Sequence, residues 1–451
     1  MSYLCIGAIA LRKTVLLVWQ IGLLMVVFVS AVQGSSLESL PPLSLEAALR
    51  EAESRSQALV AEDAAAFSAR EMAVNAKQLP DPTLGLAINN LPVEGTSAYR
   101  FNDDDMTMTS ISISQTFTRV DKRRAREEMF VREAESAEAS YALALRNLRR
   151  NTALAWFDRY FQQQMVELLS SQRAEARLQV DAAKAAYRAG RGLEADIFLA
   201  ETSVASIEDR ILAAQAQLDN AVVTLSRWVG DLAVSPLGSR PALSQSRYGE
   251  QDLEHGINQH PDIVWMATQE SQALAAAEVA RQEKRSDWNL SLMYSQRGDD
   301  FANMVSVEVS APLQWHQRNR QDRVIAAELA KADQARAERR ERVREHLAET
   351  RRWFIAWRSY LGRLDHFDTR LIPLAQERTR AALAAYRGGQ GSLATVIDAR
   401  RAQIDTQLAR LQVEMETAQL WVALEFLTLP DNAPGAQTAA MASVPSETLE
   451  Q

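Results

Sequence analysis

Apolar positions recur at alternating steps of three and four along most of the chain. Val204, Ile207, Ile211, Ala214, Leu218, Ala221, Leu225 and Trp228 form one series. Val343, Leu347, Thr350, Phe354, Trp357, Leu361 and Leu364 form a second, and Ile404, Leu408, Leu411, Met415, Ala418 and Val422 a third. This is coiled-coil spacing, with one narrow apolar seam per helix. Ala, Glu, Gln and Arg, all good helix formers, fill the other faces. Residues 119–188 hold neither proline nor glycine. They predict one helix roughly 100 Å long at 1.5 Å per residue. Residues 313–387 predict another, broken only by Gly362 and kinked at Pro373. Within it Glu338, Glu341, Glu345 and Glu349 interleave with Arg339, Arg340, Arg342, Arg344, Arg351 and Arg352. That alternation reads as a solvated, charge-laced helix face.

Two stretches change period. Thr83-Leu84-Gly85-Leu86-Ala87-Ile88 and Ser110-Ile111-Ser112-Ile113-Ser114 alternate strictly. So do Asn289-Leu290-Ser291-Leu292-Met293-Tyr294 and Val305-Ser306-Val307-Glu308-Val309-Ser310. Polar turns with Pro92, Gly95 and Asp103-Asp104-Asp105, and then Gly298-Asp299-Asp300, lie between the members of each pair. They predict four strands in two hairpins, near residues 83–90, 106–117, 288–295 and 303–312. Strands of about ten residues cross an outer membrane when tilted. Lipid on one side and water on the other would produce aliphatic residues facing serine; so would a half-buried hairpin in water. Trp288, Tyr294 and Tyr99, near strand ends, are candidates for an interfacial aromatic girdle. The loop aspartates are expected on the exterior.

The chain also repeats itself. Ala185-Ala186-Tyr187-Arg188-Ala189-Gly190-Arg191-Gly192 returns 199 positions later as Ala384-Ala385-Tyr386-Arg387-Gly388-Gly389-Gln390-Gly391. A strand pair and a long helix precede each copy, and a seam-bearing helix follows. An internal duplication is therefore expected, with a first repeat over 43–230 and a second over 250–429. Residues 431–451, rich in Ala, Ser and Pro, predict a disordered tail. Arg12 and Lys13 precede an apolar run over 14–29, followed by Ser30-Ala31-Val32-Gln33-Gly34. This predicts a signal peptide over 1–34. Cys5, the single cysteine, would leave with it, so disulfides, cysteine metal sites and thiol catalysis are not expected. The formal charge of −8 would then become about −10, which disfavours nucleic acid as a partner.

Four strands cannot close a barrel, and an open sheet in lipid leaves edge hydrogen bonds unmet. Association of several chains removes the edges; three copies would supply twelve strands. The ordered set of features resembles the TolC-type outer-membrane efflux family. It includes the duplicated helix–hairpin–helix order and the two Ala-Tyr-Arg-x-Gly-x-Gly turns. Pro80-Asp81-Pro82 before strand one, Gln115-Thr116-Phe117 leaving strand two and Ala311-Pro312-Leu313 at the second barrel-to-helix junction add to it. The resemblance implies a mainly α fold with a small transmembrane β part. Four strands per chain would complete a 12-stranded trimeric barrel, continued by a long α-helical coiled-coil tunnel through the periplasm. It implies an outer-membrane location and a homotrimer. Its partners would be a periplasmic adaptor (a membrane fusion protein) and an inner-membrane pump of the resistance-nodulation-division type. Spare length and the lack of an anchoring cysteine look most like the heavy-metal, CzcC-like branch.

The resemblance also assigns sites. The glycine turns would be periplasmic tips, where Gly190, Gly192, Gly389 and Gly391 reverse helix pairs and Tyr187, Arg188, Tyr386 and Arg387 meet the adaptor. In related channels an aspartate at the position of Asp398 lines the closed periplasmic entrance. Three copies would make an acidic ring that attracts cations and, by mutual repulsion, raises the carboxyl pKa. The family's other ring position falls on Thr395. Asp196 matches the first-repeat partner of an arginine latch whose arginine is replaced here by Gly391. No Walker loop, His-Glu-x-x-His or Gly-x-Ser-x-Gly is present, so neither enzyme activity nor a cofactor is expected. His255, His260, His316, His346 and His366 show no ligand spacing, and no metal site is expected. A duct for protein secretion or drug export, and a periplasmic coiled-coil adaptor, remain as alternative readings.

Overall fold

The computed structural model describes residues 42–101, 103–249 and 256–429. The expected signal peptide and tail lie outside them. The chain starts with α1 (Leu45–Arg55) and α2 (Gln57–Ala76). Ser44 and Ser56 cap these helices by accepting the amides of Ala47 and Leu59. Next come β1 (Thr83–Asn89), β2 (Met108–Phe117), α3 (Val120–Arg188) and α4 (Glu194–Val229). The order then recurs as α5 (Pro261–Gln282), β3 (Trp288–Gln296), β4 (Met304–Ser310), α6 (Gln321–His366), α7 (Ile372–Arg387) and α8 (Leu393–Glu425). At 69 residues, α3 is about 100 Å long. No described helix is long and apolar enough to cross a membrane.

The two hairpins merge into one antiparallel sheet of order β1-β2-β3-β4. The joining register pairs Ile111 with Tyr294, Ile113 with Leu292 and Phe117 with Trp288. Strand parity then places Leu84, Leu86, Ile88, Ile111, Ile113, Leu290, Leu292, Tyr294, Val305, Val307 and Val309 on one face. All are exposed; Leu86 is 79% and Val307 67% accessible. The opposite face carries serine, threonine, asparagine and Glu308. Ser110 and Ser295 share a hydroxyl hydrogen bond of 2.8 Å there, and Asn89 donates to Ser110 at 2.8 Å. A Cβ on Gly85 would lie 2.6 Å from the Ser112 hydroxyl. Within the described residues, the outer edges of β1 and β4 pair with nothing. Trp288 and its partner Phe117 mark the helix end of the sheet, whereas Tyr99 lies in the loop beyond the strands. The loop aspartates are tied locally. Asp103 pairs with Arg100 at 2.7 Å, Asp104 accepts the Met106 amide, and Arg297 donates to the Asp105 carbonyl.

None of the residues named in the three seams is exposed. The main core gathers Trp156, Phe157 and Phe161 of α3, Leu225 of α4, Phe354 and Trp357 of α6, and Trp421 and Val422 of α8. Phe157 meets Trp156 and Trp421 edge-on. Three indoles hold non-helical chain against the bundle. Trp156 donates to the Leu43 carbonyl at 3.0 Å, Trp357 to Leu243 at 3.0 Å and Trp421 to Gln245 at 2.8 Å.

Two details differ from the sequence reading. The second long helix begins at Gln321 instead of 313, and Gly362 lies unbroken inside it. The interruption is a π turn, Phe367–Leu371. Pro373 has no N–H for the carbonyl of Thr369, and the helix widens just ahead of it. The charged face of α6 is also more than solvated. Arg336 and Arg339 reach Glu270 of α5 at 2.7 and 3.1 Å, and Arg342 reaches Asp262 at 2.7 Å. These contacts knit antiparallel α5 to α6.

Trp156 is fully buried. Trp156→Ala is expected to cost about 3–5 kcal/mol and to lower the thermal midpoint in far-UV circular dichroism. A midpoint unchanged from wild type would show that the aromatic belt does not organise the bundle.

Candidate functional site

The far end of the helices is built twice from one backbone plan. Gly190 and Gly389 sit at φ +67° and +73°. In the first copy Gly190 N–H donates to Tyr187 and Arg191 N–H to Ala186; in the second Gly389 donates to Tyr386 and Gln390 to Ala385. All four bonds are 2.9–3.1 Å, the paired pattern of a Schellman cap. The second glycine of each turn has a separate reason. A Cβ on Gly192 would lie 3.2 Å from the Ala186 Cβ, and one on Gly391 3.2 Å from the Ala385 Cβ. Open space surrounds Gly190 and Gly389, so only their left-handed backbone selects glycine there.

The side chains around these turns have diverged. Tyr187, Arg188 and Arg387 are exposed. Tyr386 is half-buried and packs on a small core of Val180, Ala183, Ala200, Leu393, Val396 and Ile397. That core ties α3, α4, α7 and α8 together. Asp196 accepts the Leu193 amide at 3.1 Å and so caps α4. At the matching place in α8, Ser392 accepts the Thr395 amide at 3.3 Å, and the two hydroxyls are 3.0 Å apart. Asp398, one turn further, is exposed. The structure thus puts Thr395 and Asp398 one turn apart on α8, and Asp196 at the start of the other helix sharing the tip core. Ion pairs hold α8 along its length. Arg400 pairs with Glu175 of α3, Arg210 of α4 reaches Asp405 at 2.9 Å, and Arg410 grips Asp368 of the π turn at 2.6 Å. The hydrogen bond to Asp368 raises the Arg410 pKa further.

A second polar cluster escaped the sequence reading because its members are far apart in the chain. His260 precedes α5 and accepts the Asp262 amide on Nδ1 at 3.2 Å. His346 of α6 donates from Nε2 to Asp262 Oδ2 at 3.2 Å. The two imidazole centroids are 4.0 Å apart, and each ring is 97% buried, at 3% residual exposure. Burial, then the charge of Arg146, keeps His260 far below the ordinary imidazole pKa. The His346 hydrogen bond, then Arg342, holds Asp262 below the usual carboxylate range. The one local sign was His260-Pro261-Asp262, a polar cap, proline and acid that open a helix.

No protein-family model and no curated protein matches the sequence. The structure does resemble solved ones. The outer-membrane channel OprN superposes with a TM-score of 0.71 at 18% identity, over 85% of this chain and 89% of that one. The outer membrane protein VceC from Vibrio cholerae gives 0.71 at 18%, over 85% and 95%. CusC, whose structures concern folding and transmembrane channel formation, gives 0.69 at 16%, over 89% and 96%. The fold is that of the TolC-type outer-membrane channels. The glycine turns lie at the end of the helices opposite the strands.

Gly389→Ala places a Cβ in the left-handed region, at about 1–2 kcal/mol. Amide hydrogen exchange should speed up across residues 384–393 and stay unchanged in the sheet. Unchanged exchange at the turn would contradict the cap assignment.

Proposed function

We propose that this chain is the exit duct of a tripartite efflux system. Three copies close a twelve-stranded barrel in the outer membrane of a Gram-negative bacterium. Their helices continue it as a tunnel through the periplasm to an adaptor and an inner-membrane pump, probed at the glycine tips. The observation that carries this reading is the sheet: one continuous aliphatic face is exposed, the other is polar, and both edges are open. Lipid, a watery lumen and neighbouring copies satisfy all three at once. A soluble coiled-coil adaptor would leave the aliphatic face in water. The fold shared with outer-membrane channels supports the same assignment. The chain acts by conduction, without catalysis.

For cargo we propose cations, heavy-metal ions among them, delivered by the pump. Asp398, exposed on the first turns of α8, would form a ring of three carboxylates around the closed entrance, beside a neutral ring of Thr395. A single acidic ring concentrates cations at the entrance. Tyr187, Arg188 and Arg387 are the exposed side chains offered to the adaptor at the tips, with Tyr386 supporting them from the core.

Protein purified from outer membranes should give small, stable, cation-preferring steps in a planar bilayer. Divalent cations should block them, and Asp398→Ala should weaken that block about tenfold. Unchanged block in the variant would remove Asp398 from the entrance. Absence of conductance, with the protein soluble in the periplasm, would overturn the duct itself.

A further inference from the structure

The His260–Asp262–His346 cluster lies in the helical bundle, away from sheet and tips, and the duct reading makes no use of it. One ligand-type atom from each of the three side chains falls within 4.8 Å of the others. Two ring nitrogens, His260 Nε2 and His346 Nδ1, are buried without a hydrogen-bond partner. Buried polar atoms are ordinarily hydrogen-bonded, so these two point to an occupant. Both rings line a small enclosed cavity with Tyr248, Thr350 and Thr428. We propose that this cluster binds a single divalent transition-metal ion of borderline softness, such as zinc, which staples the start of α5 to α6.

The donor set fits that class. Two imidazoles and a carboxylate suit zinc, cobalt or nickel over the hard cations magnesium and calcium. His346 Nε2 already faces Asp262 Oδ2 at 3.2 Å, so an ion between them would take the place of that N–H. The ring proton would then sit on Nδ1, which lies 3.7 Å from Glu349 Oε2, a carboxylate placed to orient a metal-bound ring. Both hydrogen bonds to the Asp262 side chain fall on Oδ2, which leaves Oδ1 open. His260 must give up its cap of the Asp262 amide to ligate through Nε2, because a neutral ring has one lone pair. Arg342 and Arg146 oppose a cation, while Asp262 and Glu349 favour one. The balance predicts an affinity on the order of micromolar instead of the far tighter binding of structural zinc sites.

The test uses the full-length protein purified in detergent and stripped with a chelator. Cobalt(II) should enter at one equivalent per chain, with visible d–d bands that zinc displaces and with a rise in melting temperature. His260→Gln and His346→Gln should each weaken uptake by about tenfold or more at unchanged elution volume. Equal uptake by wild type and both variants would overturn the proposal by locating the metal on surface groups. If a variant fails to assemble, the wild type decides alone: no stoichiometric bands and no thermal shift would overturn it. None of these readouts depends on conductance, so the proposal stands or falls apart from the duct.

Discussion

Everything in this chain answers to the unpaired edges of a sheet that has no dry side to hide. A four-stranded antiparallel sheet presents a row of free N–H and C=O groups on β1 and another on β4. In water those groups could be hydrated, but the aliphatic face beside them could not be covered by this chain's own helices, which all leave from one end. In lipid the face is satisfied and the edges are not. Only lateral pairing with further copies satisfies both. The proposed closure would turn the serine-rich opposite face inward to water. Gly85, which lets the Ser112 hydroxyl approach, and the Ser110–Ser295 hydrogen bond belong to that polar face.

The two repeats are held to each other at three levels. At the top β2 pairs with β3. In the middle Phe157 of α3 meets Trp421 of α8 edge-on within the shared aromatic core. At the bottom a six-residue apolar core joins α3, α4 and α8, and α7 packs against it. The two tips share their backbone and the Ala-Ala-Tyr-Arg approach, and differ in the helix that follows. Both turns share the same caps and the same steric demand for a second glycine. Yet Asp196 answers to Thr395, and Leu199 to Asp398, so charge at the start of the second helix is placed differently in each copy.

How much of this was legible depended on the range of the interaction. Helix seams and strand alternation are local periodicities, and every seam position lies inside a packed face. The glycine turns announced themselves through repetition. The joining of the hairpins was legible only through the closure argument and the family resemblance, because nothing in either hairpin itself specifies β2 pairing with β3. The π turn was displaced from its cause, since Pro373 acts on the turn before it. The arginines of α6 looked solvated because their partners, Glu270 and Asp262, belong to another helix. The histidine pair was invisible for the same reason: residues 260 and 346 meet only when α5 packs along α6.

The central claim is that three chains close one barrel. Native mass spectrometry of the protein extracted from outer membranes tests it most directly. The account predicts a single dominant species of three chains, which persists in mild detergent and separates only on heating. A stable monomer recovered from the soluble periplasmic fraction, with its aliphatic sheet face in water, would contradict it.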